Sequence, residues 1–516
     1  MLLLLLLFLA TIFLLFFLSS KSSNTSNEFE KSPLKLVSHP PGPKGLPIIG
    51  NFHQFDPIKT HLYFFQLSKE YGPLIYLKLG FVPTIVVSSA KLAKEVLKIQ
   101  DHVFCSRPSF VGQRKLSYNG LDLTFAPYNE YWREMRKISV THLFSSKRVQ
   151  TFSWIREEEV CRIVRVISSL SSESKLANLS ELATTLTNSI ICRIGFGKNH
   201  NDDHQSRSRF QSLLHQSQAL LSGFFFSDYF PYMGWVDKVS GASRKLERVF
   251  WELDEFYQEL IDQHLNSSRK YLGKQGDIID VLLQLREEHN MPFDLTLDHI
   301  KAVLMNILLA GTDTSAAAIV WAMTELIRNP NSMKKVQEEV RNLVKGQQSS
   351  TTFIQEEQLQ HLEYLKAVIK ETYRLHPPGP LLVPRQTLER CSLGGQYQIE
   401  SKTLVYINAW AIGRDPDSWN DPETFHPERF LGNPIDYKGQ DFELLPFGAG
   451  RRGCPGLLLG ATTVELALAN LLCNFDWELP AFMKREDIDM DSLPGVTTHK
   501  KEALCLIARG SLPCKM

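Results

Sequence analysis

Several features that define common protein classes are absent from this chain of 516 residues. It has no CxxC pair, no zinc-type grouping of ligands, no phosphate loop and no Rossmann dinucleotide-binding unit. Lysine and arginine total 57 against 56 for aspartate and glutamate, and this net charge of +1 gives no electrostatic reason to expect nucleic acid as a partner. The eight cysteines are scattered, which predicts free thiols in a reducing compartment.

The most informative segment that is present is a glycine-rich run with one cysteine, Pro446–Gly456. It lies directly before Leu457–Leu472, an apolar segment that predicts a buried helix. Near a helix N-terminus, unpaired N–H groups and the helix dipole favour a thiolate over a thiol. Glycines let the backbone approach a flat ring, and Arg451 and Arg452 suit an anionic cofactor edge. The run therefore predicts that Cys454 ligates a large metal cofactor; the alternative is a free core cysteine.

This run resembles the cysteine loop of the cytochrome P450 family, Phe-x-x-Gly-x-Arg-x-Cys-x-Gly. Phe447, Gly450, Arg452, Cys454 and Gly456 match its fixed positions. The resemblance extends over nearly the whole chain after residue 40. It implies haem b (iron protoporphyrin IX) with Cys454 as the axial thiolate, and the other four residues as parts of the cofactor site. Segments 126–133 and 409–416 are similar to the plant microsomal, A-type branch of specialised metabolism.

Segment 297–328 predicts one long helix that ends at Asn329-Pro330. A polar stretch interrupts its apolar run, and it matches the family's oxygen-binding pattern at Ala310, Gly311, Asp313, Thr314 and Ser315. The resemblance implies that Thr314 hydrogen-bonds the dioxygen and that Asp313 relays protons to it. A satisfied polar kink in a core helix is the alternative.

Glu371 and Arg374 lie three residues apart, so they share one face of a predicted helix. Alone, such a pair is usually a solvated surface pair. The resemblance adds Arg429, in the run Pro427-Glu428-Arg429-Phe430, and implies a buried ion network that holds the cysteine loop.

Trp132 and Arg136 lie four residues apart on a second predicted helix, and both side chains donate hydrogen bonds. The resemblance assigns them to a haem propionate, with Arg385 and Arg452 sharing the two propionates. An amphipathic surface helix is the alternative.

Substrate contacts are expected in less regular segments. By family position these are residues 105–125, 224–226, 306–310, 378–383 and 495–498. Ala310, Val383 and Val496 are the candidate pocket residues. The aromatic run Phe224-Phe225-Phe226 is also compatible with core or with a membrane-facing surface. Together these segments predict an apolar, medium-sized substrate.

The N-terminus predicts a membrane anchor, because residues 2–18 are almost entirely apolar and carry no charge. Lysines follow this run and none precedes it, which places the body of the protein in the cytosol. The expected organisation is an anchor (1–20), a flexible tether with a proline-rich hinge (21–47) and a haem-thiolate catalytic domain (48–516). By resemblance, the location is the endoplasmic reticulum membrane, crossed once. A cleaved signal peptide is the alternative.

Hydrophobic periodicity predicts a mainly α fold with a minor β component, which is the cytochrome P450 fold if the resemblance holds. Leu74–Leu79 and Thr84–Val87 predict a hairpin. Helical patterns cover residues 155–195, 205–222, 243–288, 297–328, 331–346 and 357–376, and a weaker β pattern covers 380–410.

The resemblance implies a monooxygenase that inserts one oxygen atom from O2 into a small lipophilic plant metabolite. The substrate class could be a terpenoid, a phenylpropanoid or coumarin, an alkaloid or an amino-acid-derived oxime. Because the chain lacks a nucleotide-binding unit, NADPH would act through NADPH-cytochrome P450 reductase, docked near Arg133, Lys137, Lys147 and Arg148. One alternative is a haem-thiolate isomerase, lyase or dehydratase acting on a peroxide or an oxime. The other is a membrane-tethered ligand-binding protein without catalysis.

Overall fold

A computed structural model of the protein describes residues 39–197, 204–266, 276–288, 292–345, 352–481 and 483–510. The predicted anchor and most of the predicted tether lie outside these residues.

Helices make up most of the described chain. The eighteen α-helices of the described residues are α1 (Thr60–Tyr71), α2 (Ala90–Lys94), α3 (Asp101–Phe104), α4 (Val111–Leu116), α5 (Glu130–Ile138), α6 (Ser146–Thr151), α7 (Ser153–Ser172), α8 (Leu179–Phe196), α9 (His204–Leu221), α10 (Phe226–Tyr229), α11 (Gly234–Val239), α12 (Ala242–Asn266), α13 (Ile278–Glu287), α14 (Leu297–Arg328), α15 (Pro330–Lys345), α16 (Glu363–Leu375), α17 (Ala409–Ile412) and α18 (Leu457–Asn474).

Strands form a smaller part of the fold. In the described residues they are β1 (Leu74–Leu79), β2 (Val82–Val87), β3 (Leu176–Asn178), β4 (Arg385–Gln386), β5 (Cys391–Leu393), β6 (Tyr397–Ile399), β7 (Leu404–Ile407), β8 (Phe475–Glu478) and β9 (Cys505–Gly510). They form a four-stranded sheet in the order β1-β2-β7-β4, a three-stranded sheet in the order β3-β9-β8 and the pair β5-β6. The predicted fold class, mainly α with a minor β component, is confirmed.

The predicted hairpin is present, with a shorter turn than expected. Strand β2 begins at Val82, and Pro83 lies opposite Lys78 of β1. On its other side β2 pairs in parallel with β7 only from Thr84 onward. Pro83 therefore lies outside the ladder to β7, and its missing N–H removes no hydrogen bond from it.

Helix α14 runs through the core and has the bounds that its sequence predicts. It packs against α8, α16 and α18. Gly311 permits the close crossing of α8, since a Cβ at this position would lie 2.5 Å from Cδ1 of Ile191. Helices α14 and α18 are long and apolar enough to span a bilayer, but 83% and 72% of their most apolar windows are buried within the protein. Packing in the core accounts for that apolarity.

Residues 155–195 are mostly helical, as predicted, but the chain forms two helices there with a short strand between them that the pattern did not predict. Helix α7 ends at Ser172, and Ser174 has a positive φ of 54°. Strand β3 then pairs with β9, near the other end of the chain. The side chain of Asn178 accepts the N–H of Glu181 at 3.2 Å and caps α8. The predicted stretch 243–288 is likewise divided, into α12 and α13.

The end of the proline-rich run lies against β1. The N–H of Tyr76 donates to the carbonyl of Pro41 at 2.9 Å. A Cβ at Gly42 would lie 2.0 Å from the Tyr76 carbonyl, so only glycine allows this approach. The chain therefore reaches the globular body along the edge of the four-stranded sheet.

Candidate active site

The cysteine loop is a tight turn that leads into α18. The N–H of Cys454 donates to the Phe447 carbonyl at 2.9 Å, and the N–H of Gly453 donates to the Gly450 carbonyl at 3.0 Å. Gly456 is the N-cap of α18. The side chain of Cys454 is accessible, although protein atoms lie close around it. Burial raises the pKa of the Cys454 thiol, while the N–H of Gly456 and the charge of Arg136 act in the opposite direction.

Gly450 permits a close contact within the protein. Its φ is +70°, and a Cβ there would lie 2.0 Å from the carbonyl of Leu97, in the π-helical segment Glu95–Ile99. An approach of the loop backbone to a flat ring stays a prediction. Gly448, Gly450 and Gly453 have the spacing GxGxxG, but irregular chain precedes them instead of a strand, so the run is no Rossmann unit.

The structure brings the oxygen-binding pattern of α14 next to the cysteine loop. A Cβ at Gly460 of α18 would lie 3.6 Å from Oγ of Ser315 and 3.9 Å from Cε1 of Phe447. Phe447 in turn packs edge-on against Tyr373 of α16, with ring centroids 5.4 Å apart. Three helices therefore meet at the loop.

Ala310 is exposed although residues 300–309 of α14 are buried, so the helix has an accessible surface at the start of the predicted pattern. The hydroxyl of Thr314 donates to the carbonyl of Ala310 at 2.8 Å. Such a bond from a threonine to the preceding turn satisfies the hydroxyl within a helix that stays continuous. The same oxygen can also accept a hydrogen bond from a ligand.

Asp313 has a partner that the sequence does not predict. Its Oδ2 lies 3.3 Å from Nε2 of His499, and the two side chains are 13% and 32% exposed. His499 follows a segment that the sequence assigns to substrate contacts. Its pairing with α14 depends on tertiary structure alone, so the sequence carries no signal for it.

Arg452 belongs to the cysteine loop, and its side chain is buried and donates hydrogen bonds to three backbone carbonyls. It donates to Cys105 at 2.8 Å, to Ala126 at 2.7 Å and to Leu123 at 3.3 Å. Its guanidinium lies 3.9 Å from the centre of the Trp132 ring. Burial, followed by the charge of a neighbouring arginine, lowers the pKa of Arg452 to about 9, so the group keeps its proton at neutral pH.

Trp132 and Arg136 of α5 contact backbone groups in this arrangement. The indole N–H of Trp132 donates to the carbonyl of Leu123 at 2.9 Å. Arg136 donates through Nη2 to the carbonyl of Gly453 at 2.5 Å, which ties α5 to the cysteine loop. The indole already has a partner here, and its predicted bond to a propionate stays a prediction.

Two further buried charged residues belong to the same cluster and were missed in the sequence. Asp101 accepts from Arg385 at 2.9 Å and from the N–H of Arg451 at 2.8 Å. Arg107 donates to the carbonyls of Val383 and Pro384 at 2.5 and 2.8 Å. Their neighbours in the sequence give no sign of these contacts, which join segments hundreds of residues apart.

The cluster carries more positive than negative charge, which fits an anionic cofactor. Arg107, Arg385 and Arg452 are buried and Arg136 is half-buried, against two buried carboxylates, Asp101 and Asp122. Burial raises the pKa of Asp122, although hydrogen bonds from Asn306 and from backbone N–H groups oppose this. The raised pKa makes Asp122 a weaker source of negative charge to balance the arginines. A dianionic group such as haem with its propionates suits this surplus, and Cys454 supplies the thiol that such a cofactor needs.

Glu371 forms a buried network with two arginines. It receives two hydrogen bonds from Arg374, both at 2.7 Å, and one from Arg429 at 3.0 Å. Glu371 and Arg374 have fully buried side chains. Arg374 also donates to the carbonyl of Gly413 at 2.6 Å, where any Cβ would collide with the Arg374 backbone.

The residues predicted to contact substrate or a reductase differ in how far they are buried. Val383 is half-buried and packs against the main core, whereas Val496 is 40% exposed. Arg133, Lys137 and Lys147 are exposed. Arg148 is buried and donates to backbone carbonyls of the segment that leads into α13, so its assignment to a docking surface is wrong.

A cavity of about 270 Å³ lies elsewhere, on the four-stranded sheet. His39, Tyr76 and Gln398 are among the residues that line it, and it includes none of the predicted site residues.

Comparison with known proteins identifies the family. Residues 40–507 match the family described as Cytochrome P450. The chain is 49% identical to 6,7,8-trihydroxycoumarin synthase of Pastinaca sativa, over 92% of this chain and 94% of that protein. It is 48% identical to strychnine-11-hydroxylase of Strychnos nux-vomica, over 91% of each. A zebra fish cytochrome P450 solved with abiraterone superposes with a TM-score of 0.73 at 26% identity, covering 88% of this chain and 99% of that one. With a family match over most of the chain and relatives 48–49% identical over more than nine tenths of it, the chain belongs to the plant A-type branch of the cytochrome P450 family and is a monooxygenase of secondary metabolism.

Proposed function

We propose that the protein is a membrane-bound haem-thiolate monooxygenase that oxidises a small lipophilic plant metabolite with electrons from NADPH. One oxygen atom of O2 enters a C–H bond as a hydroxyl, and the other leaves as water with two electrons and two protons. The observation that carries the proposal is the placement of Cys454. Its accessible side chain lies near Arg136, beside a cluster of buried arginines with surplus positive charge.

When bound through a cysteine thiolate, haem supplies the oxygen-activating chemistry, because the thiolate donates electron density that favours O–O cleavage. Cys454 would be the axial ligand. Arg136, Arg385 and Arg452 would neutralise the propionates, and Glu371 with its arginines would keep the cysteine loop in place. The bonds of Arg136 to Gly453 and of Arg385 to Ala449 support this, since both tie the cationic cluster to that loop.

Thr314 and Asp313 would deliver protons. The Thr314 hydroxyl lies on the accessible face that α14 presents next to Ala310, and it retains lone-pair capacity while it donates to Ala310. Asp313 is mostly buried yet paired with a half-exposed histidine, so it lies between solvent and the interior. A site that excludes bulk water needs such a fixed path for protons.

The substrate would lie over the exposed face of Ala310, with Val383 and Val496 as further contacts. The relatives are named for trihydroxycoumarin formation and for strychnine hydroxylation. Fused-ring coumarins and alkaloids are therefore the first compounds to test.

An apolar surface supports membrane association of the described domain. Phe81, Phe224 and Trp235 are 48%, 47% and 59% exposed. The N–H of Phe81 donates to the carbonyl of Tyr229, which stacks against Phe224, so the β1–β2 turn and the segment around α10 form one surface. The chain enters the domain on the edge of the same sheet. Contiguous exposed aromatics of this kind favour a bilayer interface.

A reductase would bind the exposed cations on the cysteine side. Arg133 and Lys137 are exposed on α5, whose Arg136 contacts the cysteine loop. Neutralising both should slow the first electron transfer and weaken its dependence on salt concentration. Unchanged reduction kinetics would reject this docking face.

The decisive experiment uses the full-length protein in membranes with a plant NADPH-cytochrome P450 reductase. We expect the reduced carbon monoxide complex to show the thiolate-type Soret band, and Cys454→Ser to abolish both the band and turnover. Coumarin and alkaloid substrates are then tested under labelled dioxygen for one labelled atom in the product. A Cys454→Ser protein that keeps the band and oxidises substrate would overturn the proposal. Turnover without NADPH and dioxygen would favour the isomerase or lyase alternative.

A further inference from the structure

The partner of Asp313 belongs to a loop that is fixed at one point. His499 lies in the segment between Leu493 and Lys500, which closes on itself through the N–H of Leu493 donating to the His499 carbonyl at 2.8 Å. Nε2 of His499 approaches Oδ2 of Asp313 to 3.3 Å. The contact joins the C-terminal part of the chain to the middle of α14.

The residue before the histidine fixes the loop to α14 and to a neighbouring segment. Thr498 is buried, and its hydroxyl donates to the carbonyl of Pro377 at 3.0 Å. The indole N–H of Trp321, two turns beyond Asp313 on α14, donates to the carbonyl of Thr498 at 2.9 Å. Because these bonds fix the backbone at the residue before His499, they limit how far the histidine can move from Asp313.

We infer that His499 is a positioning residue that holds the carboxylate of Asp313 in the orientation needed for proton delivery. This rests on the proposed function, and it assigns His499 a role that the family pattern on α14 does not include. A carboxylate on a buried helix has several rotamers, and a fixed partner selects one of them. The imidazole of His499 supplies that partner at the half-exposed end of the path.

The test compares two replacements of His499. Leucine removes the polar contact, whereas glutamine keeps an N–H donor of similar reach. We expect His499→Leu to lower product formed per NADPH by about two- to fivefold, with the difference released as hydrogen peroxide, since a half-exposed ion contact contributes modestly. His499→Gln should retain more than half of the wild-type ratio. In an Asp313→Asn background, His499→Leu should have no further effect.

A second readout needs no turnover. Thermal unfolding of the wild type, both single variants and the double variant forms a mutant cycle, and we expect a non-additive coupling between positions 313 and 499. His426→Leu is the matched control. Nδ1 of His426 lies 3.3 Å from Oε2 of Glu428, the same separation, but the His426 side chain is 57% exposed on the surface. This control should leave the product-to-NADPH ratio unchanged.

The results separate this inference from the proposed function. Additive unfolding midpoints would show that the contact is absent and would overturn the inference. So would an unchanged ratio in His499→Leu when Asp313→Asn is uncoupled, or equal impairment by leucine and glutamine. In each of these cases the proposed function still stands if the wild-type protein shows the thiolate-type carbon monoxide band and forms product. A wild-type protein without that band overturns both.

Discussion

Replacing Glu371 by glutamine tests the buried network most directly, because this carboxylate accepts hydrogen bonds from two arginines. It receives three hydrogen bonds from Arg374 and Arg429, and the side chains of Glu371 and Arg374 are fully buried. Glutamine has nearly the same shape but no charge. It also brings an NH2 group that faces a guanidinium where an acceptor oxygen stood.

The loss of folding free energy in Glu371→Gln can be estimated from the burial of the network. Removing one member of a buried ion network leaves an uncompensated charge, at about 3–5 kcal/mol. That free energy corresponds to roughly a 150- to 5,000-fold change in an equilibrium constant. Arg374 keeps its bonds to the backbone carbonyls of Gly413 and Pro422, which moderates the loss toward the lower bound. We therefore expect a loss of about 3 kcal/mol in folding free energy.

The assay is the fraction of protein that retains a thiolate-type carbon monoxide band, followed against urea concentration and against time at raised temperature. A large cofactor protein does not unfold in a simple two-state way, so rates of loss are compared as well as midpoints. The control is Glu338→Gln, since Glu338 forms an exposed pair with Lys334 at 3.9 Å and should cost less than about 0.5 kcal/mol. If Glu371→Gln is no more labile than Glu338→Gln, the network does not stabilise the loop and the reasoning is wrong.

Three other predictions follow from contacts in the structure. Gly450→Ala places a Cβ 2.0 Å from a backbone carbonyl at a φ of +70°, so purified protein should contain little haem by absorbance, and normal haem content would contradict the geometry. Trp132→Phe removes the N–H bond to Leu123 and places a smaller ring beside Arg452, so it should cost at least about 0.5–1.5 kcal/mol in urea unfolding while haem is retained; loss of haem would instead show that the indole binds the cofactor. Burial opposes protonation of His264, but the bond to Asp277 outweighs it and raises the pKa of the imidazole. The resulting stability is full below the ordinary histidine pKa of about 6.5 and is lost as pH rises through the raised pKa, so the unfolding midpoint of the wild type should fall relative to His264→Gln as pH rises above about 6.5; parallel curves would refute the coupling.

The parts of the fold that sequence predicts are those fixed by local signals. Helix α14 has its predicted bounds because Thr296 and His299 form a capping box at its start and Asn329-Pro330 ends it. Strand β3 was missed because it is three residues long and its pairing with β9 is set by a contact across most of the chain. Short strands of this kind have no periodicity of their own.

The residues of the candidate site fall into the same two groups, those that a local motif predicts and those that only the tertiary structure brings together. Cys454, Arg452 and Thr314 lie within short motifs whose spacing is visible in the sequence, and the structure places their loop and helix together. Asp101, Arg107 and His499 contribute charge or a polar contact to that site from segments without a motif. A buried ion pair between distant segments leaves no trace in either segment alone, so only the tertiary structure assigns them.

Asn306 lies in a segment predicted to contact substrate, but its side chain is bonded to the segment that holds Arg452 and Trp132. Its Oδ1 accepts the N–H of Leu123 at 2.8 Å, and its Nδ2 donates to Asp122 at 2.9 Å, so both ends of the amide are engaged. The carbonyl of Leu123 in turn accepts from Trp132 and from Arg452. One peptide segment therefore links α14, α5 and the arginine of the cysteine loop. Because a buried amide without its partners is costly, a change at Asn306 should act on the Arg452 side through Leu123 rather than on substrate contacts alone.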